Sequence, residues 1–320
     1  MKKGVIEIQL NWIYIAIVGG IILLIFINIG LTMNKNSKNS LEYEIINYID
    51  EIIVNMQGNE NAEGSLDIPD MSIQVKGDVC HYYSIGKSQG SIEFIPLFSP
   101  SIIKNKVISY SLAWDMPFRA SYFLYLTSPE AAYVFVNNDI IDEMPRYMKK
   151  FKVEHTADFN NQNYYKIRFV YLNSEPDSFS MSVDRLKDAT AVKIEQSGAG
   201  GKIKYYAKNG ASWNFIEEIS YFDKPTLIAG IYSEDKVSYE CNLVKAFERL
   251  NKISTVLKER VSMIRARNLP YCDMRLYDNS IPLLERLQKI DKDSPDLATI
   301  TSSLKSINTE LNKKSCPTIY

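Results

Sequence analysis

The sequence predicts a mixed α/β protein with an N-terminal transmembrane helix, a mixed β-sheet domain partly covered by helices, and a C-terminal helical bundle. Three observations lead to this prediction. An uncharged apolar run lies near the start, segments rich in β-branched and aromatic residues follow it, and helical periodicity dominates the last quarter. The predicted boundaries are 1–34 for the leader and membrane span, 35–65 for an amphipathic helix and linker, 66–238 for the sheet domain and 239–320 for the helical region.

The first element is a long apolar segment without a charged residue between Leu10 and Met33. These roughly 24 residues would form about 36 Å of helix, enough to cross a hydrocarbon core of about 30 Å. Trp12 and Tyr14 suit the aromatic belt at a membrane interface. A secretory signal has a shorter apolar region and a small-residue cleavage site, so it fits less well. We therefore expect the lipid bilayer to be a partner of this chain.

Small residues occur within the apolar segment at Ala16, Gly19 and Gly20. Ala16 and Gly20 lie about one helical turn apart, a spacing that lets two membrane helices approach closely. One interpretation is that this face packs against a second copy of the chain or another membrane protein of the cell envelope. The other is that the glycines reflect the general enrichment of glycine in membrane helices.

The leader places two lysines before Gly4 and apolar residues directly after it, which resembles the class III leader of type IV pilins and archaeal pilin-like proteins. The chain also resembles uncharacterised archaeal single-pass membrane proteins that begin with a short Lys-Gly leader. The pilin resemblance implies cleavage between Gly4 and Val5 with retention of the apolar helix. Pilins carry a glutamate at the fifth position of the mature chain, where this chain has Gln9, and its acidic residue is Glu7. An uncleaved signal anchor is the alternative.

Four cysteines follow the apolar segment: Cys80, Cys241, Cys272 and Cys316. None has the C-x-x-C spacing of a metal or redox site. An even number of scattered cysteines is typical of proteins in oxidising compartments, so we expect the folded part of the chain to be extracytoplasmic. The alternative is a cytosolic scaffold in which four buried thiols stay reduced.

The spacing of apolar residues in 239–320 predicts a small antiparallel helical bundle. If three helices run up, down and up, Cys272 and Cys316 lie at one end of the bundle and Cys241 lies at the other. Bonded cysteines need α-carbons within about 7 Å, whereas the first helix would be about 36 Å long. The geometry therefore predicts a Cys272–Cys316 disulfide and, by elimination, a Cys80–Cys241 disulfide.

The central region contains ten strand candidates, of which the last is Thr226–Ser233. We predict helices over Asp139–Lys150 and Ser182–Asp188. The order strand, helix, strand through Tyr165–Ile194 predicts one parallel crossover, and the strands before it are expected to form hairpins. These elements together predict a single mixed sheet.

Glycines in the stretch "QSGAGGKIKYY" invite comparison with a phosphate-binding loop. The Walker pattern requires a glycine where this chain has Gln196 and a hydroxyl where it has Ile203, so the pattern does not match. Because strand-like segments flank the glycines, we predict a β-hairpin turn there.

Few residues suggest catalysis. Cys80 and His155 would form a nucleophile–base pair only if the fold brought them together, and a structural cysteine with a surface histidine is the simpler interpretation. Asp115 and Arg119 lie among large apolar residues, which suits a structural ion pair or a pair that faces a ligand. No catalytic residue is assigned.

The formal net charge is −1, so no nucleic-acid partner is predicted. No cluster of histidine, cysteine and acidic residues has ligand spacing, so neither a metal nor another cofactor is predicted. The sequence therefore predicts a membrane-anchored, extracytoplasmic structural or binding protein of the cell envelope, pilin-like in its leader. A membrane-tethered hydrolase with an unrecognised site is the alternative.

Overall fold

The structure is a computed structural model that describes residues 4–56, 62–75, 80–92, 95–159, 163–177, 189–198, 200–292, 294 and 296–320. The chain divides into two compact units, Met1–Tyr48 and Ile49–Tyr320. The helices are α1 (Gly4–Met56), α2 (Lys224–Tyr232), α3 (Lys236–Ala266), α4 (Met274–Leu287) and α5 (Leu297–Lys313). The strands are β1 (Glu63–Val75), β2 (Tyr82–Ile85), β3 (Ser88–Ser91), β4 (Leu97–Phe98), β5 (Ile102–Asp115), β6 (Arg119–Thr127), β7 (Ala131–Val136), β8 (Lys150–Val153), β9 (Lys166–Leu172), β10 (Ala189–Ser197), β11 (Gly200–Asn209) and β12 (Ser212–Tyr221).

The prediction of a transmembrane helix is wrong. In the part of the chain that the structure describes, no helix combines enough length with enough apolar character to cross a bilayer. A Cβ atom added at Gly19 or Gly20 would meet no other atom within 4 Å. The close approach of a second helix at Ala16, Gly19 and Gly20 stays a prediction.

The predicted single sheet is also wrong, because the second unit contains two six-stranded sheets. The strand order in the first sheet is β3-β2-β1-β5-β6-β4, and only β4 runs parallel to its neighbour. The chain passes to the second sheet through the short turn after β6. There the Ser128 hydroxyl accepts a hydrogen bond from the Glu130 backbone N–H at 3.1 Å and donates one to the Lys104 carbonyl at 3.0 Å. Strands β6 and β7, which follow each other in the sequence, therefore lie in different sheets.

The second sheet has the order β12-β11-β10-β9-β7-β8. Its first three strands are antiparallel and its last four are parallel. The predicted parallel crossover is present, because β9 and β10 pair in parallel from Ile167 to Leu172. The predicted hairpin is present as well, with Gly198 at a φ of +65° between β10 and β11. The crossover helix predicted at Ser182–Asp188 lies outside the described residues.

Helix α2 occupies the segment that was predicted as the last strand. Its start is capped by Asp223, whose carboxylate accepts a hydrogen bond from the Thr226 N–H at 3.0 Å, while the Thr226 hydroxyl accepts one from the Asp223 N–H at 3.0 Å. Every residue from Thr226 to Tyr232 is buried. A helix buried on all sides shows no polar face, so its sequence is indistinguishable from that of a buried strand.

A further local prediction is wrong. The helix predicted over Asp139–Lys150 is a single 3-10 turn, Ile140–Glu143, followed by strand β8. Pro145 lies within the predicted helix, where it would remove a backbone donor and clash with the preceding turn. The disulfide-bonded Cys80 lies in a turn before β2.

The main core lies where the first sheet and the second sheet meet α2 and α3. Trp114 of β5 stacks on Phe123 of β6 and meets the edge of Phe247 of α3, with ring centroids 5.5 and 5.3 Å apart. Helix α2 packs closely on the second sheet, because a Cβ atom at Gly230 would lie 2.4 Å from the Ile203 side chain. A larger residue at this position would force the Ile203 side chain to move.

Both disulfides have the connectivity that the bundle geometry predicts. Cys80 bonds Cys241 with α-carbons 6.1 Å apart, and Cys272 bonds Cys316 with α-carbons 5.8 Å apart. Beside the first disulfide, the buried Lys245 ammonium donates hydrogen bonds to the carbonyls of Cys80 and Ile92. The first disulfide thus joins the start of α3 to the turn before β2 of the first sheet. The second joins the segment after α3 to the C-terminal segment.

Replacing Cys272 and Cys316 together by serine should lower the free energy of unfolding by about 2–4 kcal/mol, because the disulfide restrains the unfolded chain. Urea unfolding of the oxidised proteins measures this difference. The wild-type protein unfolded in reductant is the control and should be destabilised at least as much. An unchanged urea midpoint, or a Cys241–Cys272 peptide in non-reducing mapping, would contradict the bundle arrangement.

Candidate functional site

A cleft of about 390 Å³ opens where the first residues of β9 and β10 lie beside the start of β5 and the end of β11. The strand register brings its walls together, because Thr190 of β10 pairs with Arg168 on one side and with Ala207 on the other. The polar side chains that line the cleft are Ser101, Tyr165, Lys166, Thr190, Lys208 and Glu234. The apolar lining residues are Ile102, Ala189 and Ala207.

An ion pair between Lys166 and Glu234 lies in this cleft. Lys166 begins β9, and Glu234 lies in the connection between α2 and α3. The Glu234 carboxylate also accepts a hydrogen bond from the Ser101 backbone N–H at 2.9 Å. The two side chains are 13% and 27% exposed, so the pair is mostly shielded from water but still reaches the cleft.

Arg168 lies behind this ion pair and is 2% exposed. Its guanidinium donates hydrogen bonds to the carbonyls of Ile231 and Glu234 at 2.9 and 3.0 Å and to the carbonyl of Ser233. These carbonyls belong to the end of α2 and the residues that follow it, where a helix carries partial negative charge. The same guanidinium donates to the Thr190 hydroxyl at 3.1 Å, which fixes that hydroxyl at the cleft wall.

The electrostatic environment keeps the Glu234 carboxylate ionised. Burial by itself raises the pKa of Glu234, but the charges of Lys166 and Arg168, with the hydrogen bonds from Lys166 and Ser101, outweigh burial and hold the pKa at about 2. A group with this pKa carries almost no proton near neutral pH and is a poor general base. Glu234 therefore acts as a fixed negative charge that orients Lys166.

Tyr165 forms an aromatic part of the cleft wall. Burial raises the pKa of its phenol, and the phenol O–H donates to the Ile102 carbonyl at 2.9 Å. The Lys104 ammonium lies over the Tyr165 ring, 5.2 Å from its centroid. Tyr165 thus contributes a fixed aromatic surface to the cleft, because the backbone carbonyl of Ile102 holds its hydroxyl.

The structure does not assemble a catalytic site from Cys80, His155 and Asp115. The Cys80 sulfur is bonded to Cys241, so it offers no thiolate nucleophile. Asp115 forms an exposed ion pair with Arg119 at 3.1 Å, as in the structural interpretation.

His155 is 74% exposed, and its Nδ1 lies 3.7 Å from the Asp177 carboxylate. The hydroxyl of the adjacent residue, Thr156, is fully buried and donates a hydrogen bond to Asp177 at 2.9 Å. A buried hydroxyl cannot reach a substrate. Among the described residues, no three histidine, cysteine or acidic side chains gather at metal-ligand distances.

Sequence reasoning missed the cleft residues, although one signal was present. Lys166 and Arg168 stand within the otherwise apolar stretch "YYKIRFVYL". A cation in a buried strand needs an oxygen partner, so these residues indicated a buried polar site. Their partners lie more than sixty residues later in the chain, which no local pattern could reveal.

Replacing Glu234 by glutamine should lower the free energy of unfolding by about 2 kcal/mol at pH 6. The pKa of Glu234 is lower in the folded protein than its ordinary value of 4.5, so its stabilising effect is complete above pH 4.5. The effect is lost as the pH falls toward 2. Urea unfolding of both proteins across this range should therefore show the difference shrinking toward zero.

The matched control for this measurement is Asp115→Asn, which removes an exposed, paired carboxylate. It should change the free energy of unfolding by less than about 1 kcal/mol at any pH. A constant difference between wild type and Glu234→Gln from pH 6 to pH 2 would contradict the lowered pKa of Glu234.

The function of the cleft has to be inferred from its own side chains. No protein-family model, no curated protein and no solved structure matches the chain. The residues that line the cleft form a small, partly apolar cavity with cationic side chains and a carboxylate held in its charged form. The function is therefore inferred from these groups.

Proposed function

We propose that this chain is an extracytoplasmic binding protein of the cell envelope, and that its cleft takes a small anionic ligand. The observation that carries the proposal is the fixed charge of the cleft. Glu234 stays ionised, and the positive charges of Lys166 and Arg168 act on its carboxylate. A group whose charge stays constant near neutral pH suits recognition of a charged ligand better than proton transfer.

The ligand class follows from the lining. Lys166 and Lys208 line the cleft, and the Thr190 hydroxyl at its wall accepts a hydrogen bond from the buried Arg168. Carboxylate and phosphate oxygens are the natural partners of such donors. The Tyr165 ring and Ile102 supply apolar surface for the organic part of the ligand, and a volume of about 390 Å³ suits a small molecule.

The disulfides support the proposed location. They join segments 161 and 44 residues apart and use all four cysteines of the chain. Disulfides of this kind persist in oxidising compartments and are rare in the cytosol of most organisms. Cleavage between Gly4 and Val5 and assembly with envelope proteins stay predictions, which N-terminal sequencing and co-purification of the mature protein would test.

Lys208→Gln should weaken binding of the best anionic ligand by about fivefold or more, because one ammonium partner is lost. The ligand is sought among inorganic phosphate, sugar phosphates, and mono- and dicarboxylates by thermal denaturation, and calorimetry then measures its affinity. Lys202→Gln is the matched control, because Lys202 lies on the same strand but pairs with Glu218 outside the cleft. Absence of binding by every anion, or equal effects of both variants, would overturn the proposed ligand class.

The proposed location predicts that the cysteines are oxidised in intact cells. A membrane-permeant maleimide added before lysis should leave all four unlabelled, and labelling should require prior reduction. A cytosolic scaffold would instead present four reactive thiols after denaturation without reductant. That result would overturn the proposed compartment without bearing on the ligand.

A further inference from the structure

One exposed face of α3 carries a stripe of basic and apolar side chains. Successive members are three, four, four, three and four residues apart, so they lie on one side of the helix over about 27 Å. The members of this stripe are Arg249, Lys252, Val256, Arg260, Met263 and Arg267.

The cations of the stripe differ from the other surface cations of α3. Lys236, Lys258 and Arg265 form ion pairs with Glu240, Glu285 and Asp278, at 3.8, 3.1 and 2.6 Å respectively. Within the described parts of the chain, the four cations of the stripe have no acidic partner. An anion from outside could pair with them without displacing an internal carboxylate.

The apolar members of the stripe are exposed between these cations. Val256 is 63% exposed and Met263 is 62% exposed. Single exposed apolar residues are ordinary on protein surfaces, but two on one face among unpaired cations form an amphipathic surface. Covering them would gain hydrophobic free energy in addition to any ion pairing.

The stripe ends in a groove of about 280 Å³ between the end of α3 and the C-terminal segment. Met263, Leu269 and Pro317 supply apolar surface, and Arg260 and Arg267 also line the groove. The groove is preformed. The Cys272–Cys316 disulfide holds its two walls, and the Tyr277 hydroxyl donates to the Pro317 carbonyl at 2.7 Å.

We propose that this stripe and groove bind an acidic segment of a partner protein. Carboxylates of the segment pair with Arg260 and Arg267, whose planar guanidinium groups bind carboxylates in a bidentate manner. One apolar side chain of the segment enters the groove between them. A groove of about 280 Å³ can take up a side chain, whereas a flat anionic lipid surface would leave it empty. The surface is separate from the cleft at the start of β9, so it adds a partner-binding function to the proposed ligand binding.

The test uses the full-length chain and a fluorescein-labelled heptapeptide with phenylalanine at its centre and three acidic residues on each side. Fluorescence anisotropy should show saturable binding that weakens as NaCl is raised from about 50 to 500 mM. Arg260→Gln and Arg267→Gln should each weaken binding by about fivefold or more, and Met263→Asp should do the same. All three side chains lie at the surface, so thermal denaturation should show that the variants stay folded.

The matched control is Arg265→Gln, which removes the same charge from the same helix on another face, where Asp278 pairs with it. It should leave peptide affinity within about twofold of wild type. A second peptide with alanine in place of phenylalanine should bind about fivefold more weakly. Equal losses in Arg265→Gln and Arg260→Gln would overturn the proposal, as would equal binding of the alanine peptide. Binding to phosphatidylglycerol vesicles or polyphosphate without binding to the peptide would also overturn it.

Discussion

The buried guanidinium group of Arg168 is the interaction on which the cleft depends. A helix that ends inside a protein leaves carbonyl groups without partners and carries partial negative charge at that end. Arg168 provides hydrogen bonds to the carbonyls at the end of α2 and a positive charge beside them. The same contact places Glu234 next to Lys166 at the edge of the second sheet. One buried cation therefore positions a helix, the following connection and the charged wall of the cleft.

Helix α3 connects the two surfaces to which we assign binding. Its 31 residues extend for about 46 Å. The cleft includes Glu234, just before the start of α3, and the basic stripe runs along its second half into the groove at its end. The two disulfides lie near these two ends. In an oxidising compartment both surfaces would thus be held in place by covalent bonds, which lowers the entropic cost of binding.

Local pattern predicted some elements well and failed at others for definable reasons. Most strands, the β10–β11 hairpin and the C-terminal helices follow from residue type and spacing. The segment Thr226–Ser233 was mistaken for a strand because a helix buried on all sides has no polar face. The structure contains two sheets where one was predicted, because strand pairing depends on residues far apart in the sequence. The span predicted from the length and apolar character of the first segment was wrong, because no helix in the described part of the chain is both long and apolar enough to cross a bilayer.

By itself, the sequence determined the mixed α/β class, the helical C-terminal region, and the pairing of the four cysteines. Periodicity and helix length are local properties, and helix length limits which cysteines can meet. Only the tertiary structure decided the division into two sheets and the meeting of Lys166 with Glu234. Among the described residues, it alone revealed which cations of α3 have no acidic partner. Ion pairs and clefts form between residues far apart in the chain, so their existence depends on packing that no single segment encodes.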